Sequence, residues 1–235
     1  SAKDSDLFTI GAKTGVIKFK TTPDHEMPRD SGSNNSINFS VQVSDGALVA
    51  VQEYSFDIVN RNEPPFFDTT TPSINDIGNL EEGNTQIASI SASDSDAQDS
   101  LTYSLINSVG AKDEGLISVN KKTGVVSFKV SPDYEKPIDV GSDNSINFSV
   151  QVSDGALIDV QEYSFAITNK NEAPVITTTS FSISENNVIV GAISASDVDS
   201  GTTLSYGLAA GAGSDEQLFD INSTTGALVF KSRPD

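Results

Sequence analysis

The chain has 235 residues, no cysteine, no tryptophan and a formal net charge of -19 at pH 7. The excess of carboxylates argues against nucleic acid and anionic membranes as partners, because like charges repel. The lack of cysteine excludes disulfides and thiolate metal sites, so any cross-link must come from packing or from a metal with oxygen ligands. No apolar run approaches the ~20 residues of a membrane helix, and we expect no direct membrane insertion.

An internal repeat organises the sequence. Residues 36–48 recur letter for letter at 145–157, 109 positions later. The polar segment 60–65, the first seam, has a counterpart at the same spacing in 169–174, the second seam. Each seam ends in Pro, which has no backbone donor and cannot continue a sheet. The sequence predicts three parts: the back part of one repeat at 1–64, a complete repeat at 65–173 and the front part of another at 174–235.

Within a repeat, apolar residues alternate with polar ones. The pattern appears at 101–105, 148–152 and 163–167, and it is typical of strands with one buried face. Thr-Gly pairs at 123–124 and 225–226 each end a polar turn and predict a hairpin. About seven short strands in roughly 105 residues predict an all-β fold, an antiparallel Greek-key β-sandwich of immunoglobulin-like architecture.

Carboxylates avoid the middles of the predicted strands and gather at their ends. If the strands are antiparallel, Asp133 and Glu135 fall at the pole where the chain leaves one repeat. Glu185, Asp197 and Asp199 then fall at the pole where it begins the next. Such a cluster repels itself unless a hard cation joins it. Ca²⁺, with about 6 to 8 flexible oxygen ligands, suits the cluster better than rigidly octahedral Mg²⁺.

The arrangement resembles tandem cadherin repeats of the bacterial, cadherin-like kind, over all 235 residues. The family's motifs recur here in fixed order: an early-strand Glu, Asp-x-Asp, Asp-x-Glu, an Asp turn and a polar linker closed by Pro. The resemblance implies calcium at each seam, which ties consecutive sandwiches into a rod. The motifs fall on Glu82 and Glu185, on Asp94/Asp96 and Asp197/Asp199, on Asp24/Glu26 and Asp133/Glu135, on Asp45 and Asp154, and on the two seams.

The resemblance also implies a set of metal ligands for each seam. For the first seam these are Asp24, Glu26, Asn60, Asn62, Glu63, Glu82, Asp94, Asp96 and Asp154. For the second they are Asp133, Glu135, Asn169, Asn171, Glu172, Glu185, Asp197 and Asp199. A counterpart of Asp154 would lie beyond residue 235, so we expect the first seam to bind calcium more tightly. The seams depart from the family in having Asn60 and Asn169 where Asp is usual, and Glu63 and Glu172 in place of the second Asp.

Other features favour no catalytic role. His25 lies between two predicted ligands, and its alternating position points it away from them. Two Asp-Ser-Gly loops lack the apolar strands of an aspartic protease site, and the chain has little from which to build a sugar cleft. A vertebrate-type strand-exchange contact needs an anchoring Trp, which is absent. We therefore expect no enzyme.

The predicted function is a calcium-rigidified, non-catalytic segment of a large secreted or cell-surface bacterial adhesin or matrix protein, acting as an extended spacer. The predicted partners are calcium, neighbouring cadherin-like repeats and cell-surface polysaccharide. The alternative is a calcium-dependent carbohydrate-binding accessory module of a secreted polysaccharide-degrading enzyme. Homophilic contact between rods is a third reading.

Overall fold

A computed structural model of the chain describes residues 4–68, 78–96, 100–106, 112–209, 211 and 215–234. The fold is all-β, with short 3₁₀ helices at Asp4–Leu7 and Glu216–Leu218. No helix in these ranges is long and apolar enough to cross a membrane. The chain divides into two compact units. The first comprises Ser1–Ile77, Gln86–Ser127 and Asn147–Ser164, and the second Gly78–Thr85, Phe128–Ile146 and Phe165–Asp235.

The back part of the first repeat contains two antiparallel hairpins. Strand β1 (Phe8–Ile10) pairs with β2 (Ile17–Phe19), and β3 (Ser36–Ser44) pairs with β4 (Val49–Asp57). The ring of Phe39 joins them, since its centroid lies 4.7 Å from that of Phe8. Phe39 and Ile37 are the buried apolar side chains of this part among its described residues.

The complete repeat contains nine described strands. They are β5 (Phe66–Phe67), β6 (Leu80–Glu81), β7 (Gln86–Ser89), β8 (Ala92–Ser93), β9 (Thr102–Leu105), β10 (Ile117–Val119), β11 (Val125–Phe128), β12 (Ser145–Ser153) and β13 (Ile158–Thr168). They form sheets of order β10-β11-β7, β6-β13-β12-β9 and β5-β8. The expected seven strands become nine because two are interrupted. The first consists of β5, which pairs with β8, and β6, which pairs with β13. The second consists of β7 and β8.

The predicted alternation is confirmed in β12, where Phe148, Val150 and Val152 are fully buried. Ser149 departs from it, because this residue is also fully buried. Its hydroxyl accepts a hydrogen bond from Lys112 Nζ at 3.1 Å. A polar residue at an outward position of this strand is thus covered by a lysine side chain.

The front part of the last repeat contains β14 (Val175–Ile176), β15 (Ile189–Ala192), β16 (Ala195–Ser196), β17 (Phe219–Ile221) and β18 (Ala227–Phe230). Strand β14 pairs with β16, and β18 lies between β15 and β17. The predicted Thr-Gly hairpins are present, with Gly124 at φ 65° and Gly226 at φ 66°. A Cβ at either glycine would collide with a carbonyl oxygen, of Ile90 or Ile193. The division at 64/65 and 173/174 remains a prediction from the sequence.

Candidate metal centres

Three carboxylates from separate segments meet beside the first seam. Glu26, Glu63 and Asp96 each place one carboxylate oxygen within 4.8 Å of the others. Glu26 lies between β2 and β3, Glu63 lies within the seam, and Asp96 follows β8. All three belong to the first unit. The chain thus brings together residues that are up to 70 positions apart in sequence.

Asp96 organises the first seam through hydrogen bonds. Its carboxylate accepts from the Asn60 side-chain amide at 2.7 Å and from the Glu63 backbone N–H at 3.0 Å. Its own N–H donates to Asp94 Oδ1 at 2.9 Å. The two bonds that its carboxylate accepts, the one from Asn60 above all, hold the pKa of Asp96 below its usual value. The Asn62 amide donates to Asp154 Oδ2 at 2.8 Å, so Asp154 also lies at this seam.

The second seam repeats this arrangement within the second unit. Asp199 accepts from the Asn169 amide at 2.7 Å and from the Glu172 N–H at 2.9 Å, and it donates to Asp197 at 3.0 Å. The pKa of Asp199 is lowered, mainly by the Asn169 bond. The Asn171 amide donates to the Glu172 carbonyl, as Asn62 does to Glu63. The close carboxylate cluster here consists of Glu82, Glu135 and Glu172.

The electrostatics of both clusters favour a bound cation. Burial raises the pKa of Glu63, and the neighbouring carboxylates of Glu26, Asp96 and Asp24 raise it further. Burial also raises the pKa of Glu135 and of Glu172, and the acidic side chains around them raise it further.

Buried oxygen atoms point to the same conclusion. Among the described residues, Glu63 Oε2, Asp94 Oδ2 and Glu172 Oε2 are buried and accept no hydrogen bond. A buried carboxylate oxygen without a partner is costly. The donor set contains only oxygen and carries several negative charges, as calcium sites do. The residues therefore fit a calcium ion.

Glu82 lies at the second seam, and the predicted assignment to the first seam is wrong. Strand β6 pairs in parallel with the end of β13, where Leu80 lies opposite Ile167. Glu82 therefore lies beside the backbone at the start of the second seam. Its Oε1 accepts from the Lys170 N–H at 2.9 Å and its Oε2 from the Tyr134 N–H at 2.7 Å. The prediction assumed antiparallel strands, and the parallel pair carries Glu82 to the other end of the repeat.

Glu185 joins neither cluster among the described residues. Its side chain is exposed, and the next residue, Asn186, donates its N–H to the Pro234 carbonyl at 3.2 Å. By the same topology, Glu185 belongs beside a strand equivalent to β13, which the described residues after it do not provide. Among the described residues, Asp154 lies at the first seam and Glu82 at the second, and no counterpart of either lies at the other seam. The first seam is therefore no longer expected to bind calcium more tightly than the second.

Three further residues differ from expectation. The side chain of His25 does not point away from its neighbours, since Nδ1 lies 3.0 Å from Glu26 Oε1. His25 lies in an irregular turn, where strand alternation does not apply. Asp24 and Asp133 accept hydrogen bonds within their own turns and stand outside the close clusters. Asp133 also pairs with Lys136 Nζ at 3.2 Å, a partner that the first repeat replaces with Met27.

Comparisons with known proteins agree with this fold. Residues 62–164 match the family model of the bacterial Ig domain. No curated protein is similar enough to the chain to count as a match. The chain is similar to human CDH23 EC21-23, with 20% identity, a TM-score of 0.60, and coverage of 100% of this chain and 74% of that chain.

Two mouse structures are similar as well. Cadherin-23 EC22-24 is 21% identical with a TM-score of 0.55, over 97% of this chain and 72% of that chain. Protocadherin-24 EC1-3 is 18% identical with a TM-score of 0.54, over 100% of this chain and 76% of that chain. At these identities the similarity establishes the fold. The chain is built on a cadherin-like, immunoglobulin-like repeat, and its residues 62–164 match the bacterial Ig domain family.

Proposed function

We propose that the chain is a calcium-rigidified, non-catalytic repeat segment of a secreted or cell-surface bacterial protein, acting as an extended spacer in cell adhesion. The observation that carries the proposal is the assembly of three carboxylates at each seam, with one oxygen of Glu63 and one of Glu172 buried without a hydrogen-bond donor. The similarity to solved extracellular cadherin domains supports an extracellular location.

Residues from both sides of each seam would hold the ion. At the first seam they are Glu26 from before the seam, Glu63 within it and Asp96 from after it, with Asp94 and Asp154 close by. At the second seam they are Glu82 and Glu135 from before the seam and Glu172 within it, with Asp197 and Asp199 from after it close by. A bound calcium neutralises the facing carboxylates and links the segments that supply them.

The hydrogen bonds of the seams prepare these residues for binding. The bonds from Asn60 and from the Glu63 N–H fix Asp96 relative to the seam before any ion binds. The carboxylates still repel one another in the absence of an ion. We infer that each seam hinges without calcium and becomes stiff with it.

Small-angle scattering tests this proposal. In ~10 mM calcium we expect the scattering of one rigid, extended particle. In chelator we expect a broader distribution of particle lengths, which reports hinging. Magnesium at the same concentration is the matched control, because its rigid octahedral preference suits these clusters less well. Identical profiles in calcium and chelator would refute stiffening.

The comparisons give no support to the carbohydrate-binding alternative, and they show no catalytic family. A glycan array with and without calcium remains the direct test of the carbohydrate-binding alternative.

A further inference from the structure

A lysine lies beside the second seam at a position where the first seam has a methionine. Asp133 and Lys136 are three residues apart, and Lys136 Nζ lies 3.2 Å from Asp133 Oδ2. At the same spacing the first repeat has Asp24 and Met27. The first seam therefore has an apolar side chain where the second has an ammonium group.

The two turns have equivalent backbone hydrogen bonds, so the side chains at 27 and 136 begin from equivalent positions. Asp24 Oδ1 accepts the Met27 N–H at 3.0 Å, and Asp133 Oδ1 accepts the Lys136 N–H at 3.1 Å. In both repeats, an asparagine side-chain amide donates to the carbonyl of the residue that follows the aspartate, at 2.8 and 2.9 Å. Met27 and Lys136 are both exposed. Exchanging these two residues therefore changes the charge beside each seam while the turn keeps its hydrogen bonds.

The ammonium group of Lys136 pairs with a carboxylate oxygen whose counterpart in the first repeat is open. Among the described residues, Asp24 Oδ2 accepts no hydrogen bond, because both bonds to this carboxylate go to Oδ1. Burial raises the pKa of Glu63, and Asp24 is among the neighbouring acids that raise it further. Asp24 thus adds to the negative charge that attracts a cation to the first seam.

Asp133 lies close enough to the second cluster to act on it electrostatically. The next residue, Tyr134, donates its N–H to Glu82 Oε2 at 2.7 Å, and Glu135 belongs to the cluster itself. Burial raises the pKa of Glu172, and Asp133 is among the acids that raise it further. A cation that pairs with Asp133 therefore reduces the attraction of the whole cluster for a second cation.

We propose that Lys136 sets the calcium affinity of the second seam by acting as a built-in competing cation. Its ammonium group neutralises Asp133, and a calcium ion must displace this group before Asp133 contributes to holding the ion. The side chains of Lys136 and Asp133 are 77% and 47% exposed. An ion pair this exposed is weak, so it lowers the affinity without closing the site. The inference rests on the proposed calcium function.

A reciprocal exchange of the two residues tests this role. Lys136→Met should tighten calcium binding at the second seam by about two- to fivefold, which is the range that exposed ion pairs contribute. Met27→Lys should weaken binding at the first seam by a similar factor. The side-chain amide signals of Asn171 and Asn62 follow the second and first seams in a calcium titration by nuclear magnetic resonance. Each variant should leave the other seam unchanged, because it alters no residue there.

Three controls separate the charge of Lys136 from its shape. Lys136→Arg keeps the charge and should retain the calcium affinity of the unmodified chain. Lys122→Met removes the same charge from the exposed turn between β10 and β11, and it should change neither seam. In ~1 M potassium chloride the gain of Lys136→Met should vanish, because salt screens exposed charges. An arginine variant that binds calcium as tightly as the methionine variant would overturn the inference.

Unfolding in denaturant supplies a second readout. Lys136→Met leaves Asp133 without its counter-cation, so the variant should unfold at a lower denaturant concentration in chelator, and its midpoint should rise more on adding calcium. If both seams bind calcium and the exchange changes neither affinity, this inference is wrong and the proposed function stands. If neither seam of the unmodified chain binds calcium, the proposed function is wrong and the inference falls with it.

Discussion

One aspartate orders each seam at the residue scale. Asp96 and Asp199 each accept a hydrogen bond from a seam asparagine and another from a seam backbone N–H. These bonds lower the pKa of both aspartates, whereas burial and neighbouring acids raise the pKa of Glu63 and Glu172. Each seam thus combines a carboxylate with a lowered pKa and one with a raised pKa, and a nearby cation would favour the ionised form of both.

The placement of Glu82 gives a residue-specific prediction. Glu82→Gln should weaken calcium binding at the second seam by about tenfold, roughly 1.4 kcal/mol, and leave the first seam unchanged. The side-chain amide signals of Asn62 and Asn171 report the two seams separately in a calcium titration. Glu26→Gln is the matched control, which should affect only the Asn62 signal. A shifted titration of Asn62 in Glu82→Gln would contradict the placement.

The pKa shifts predict how stability depends on pH in chelator. Glu63, Glu135 and Glu172 have raised pKa values, so the folded chain takes up protons before the unfolded chain does as the pH falls from 7. The free energy of unfolding should therefore rise until the pH nears 4.5, the ordinary value for Glu. Asp96 and Asp199 have lowered pKa values, and their contribution is lost as the pH falls below 3.8.

Denaturant unfolding at a series of pH values measures this profile. We expect a maximum at about pH 4 to 5 in chelator. In saturating calcium, the rise on acidification should disappear, because protons and the ion compete for the same carboxylates. A chelator profile that falls steadily from pH 7 would show that repulsion at the seams is not significant.

The parallel pair of β6 and β13 positions a site residue at the element scale. It carries Glu82 to the second seam, beside Glu135 and Glu172. The hairpin of β10 and β11 depends on Gly124, which has φ 65° and lies against the Ile90 carbonyl.

Gly124→Ala should destabilise the chain by about 1 to 3 kcal/mol, because the methyl group meets backbone atoms in a conformation that favours glycine. Gly115→Ala is the control, since a Cβ there meets nothing within 4 Å. It should change the free energy of unfolding by no more than about 0.5 kcal/mol. Urea denaturation of the two variants compares them, and equal stabilities would contradict this account of the hairpin.

Sequence reasoning could predict the strands and the seams but not every neighbour. Alternation identified the buried face of β12, and polar seams closed by Pro identified where carboxylates gather. Alternation does not say which strand lies beside which, so it could not predict that β6 runs parallel to β13. The sequence therefore predicted the wrong seam for Glu82. It also fails in turns, as His25 shows. Repeat spacing combined with an explicit strand order would have indicated that Glu82 lies at the second seam and that Glu185 joins neither cluster.

The large negative charge constrains the whole molecule. A net charge of -19 destabilises a compact chain through self-repulsion, and bound divalent cations relieve it. If each site has the ~0.1 to 1 mM dissociation constant of extracellular calcium modules, ~10 mM calcium should add about 1.4 to 2.7 kcal/mol per independent site. Denaturant unfolding in calcium, compared with magnesium and with an ionic-strength control, measures this gain. Equal stabilisation by all three salts would indicate screening alone.

Equilibrium dialysis with radioactive calcium tests the central claim, that the two seam clusters bind this ion. The unmodified chain should show saturable binding with a dissociation constant of ~0.1 to 1 mM. The double variant Glu63→Gln and Glu172→Gln, which removes one charge from each cluster, should lose most of that binding while its circular dichroism stays unchanged. Binding that does not saturate, or that is the same in the double variant, would contradict the account.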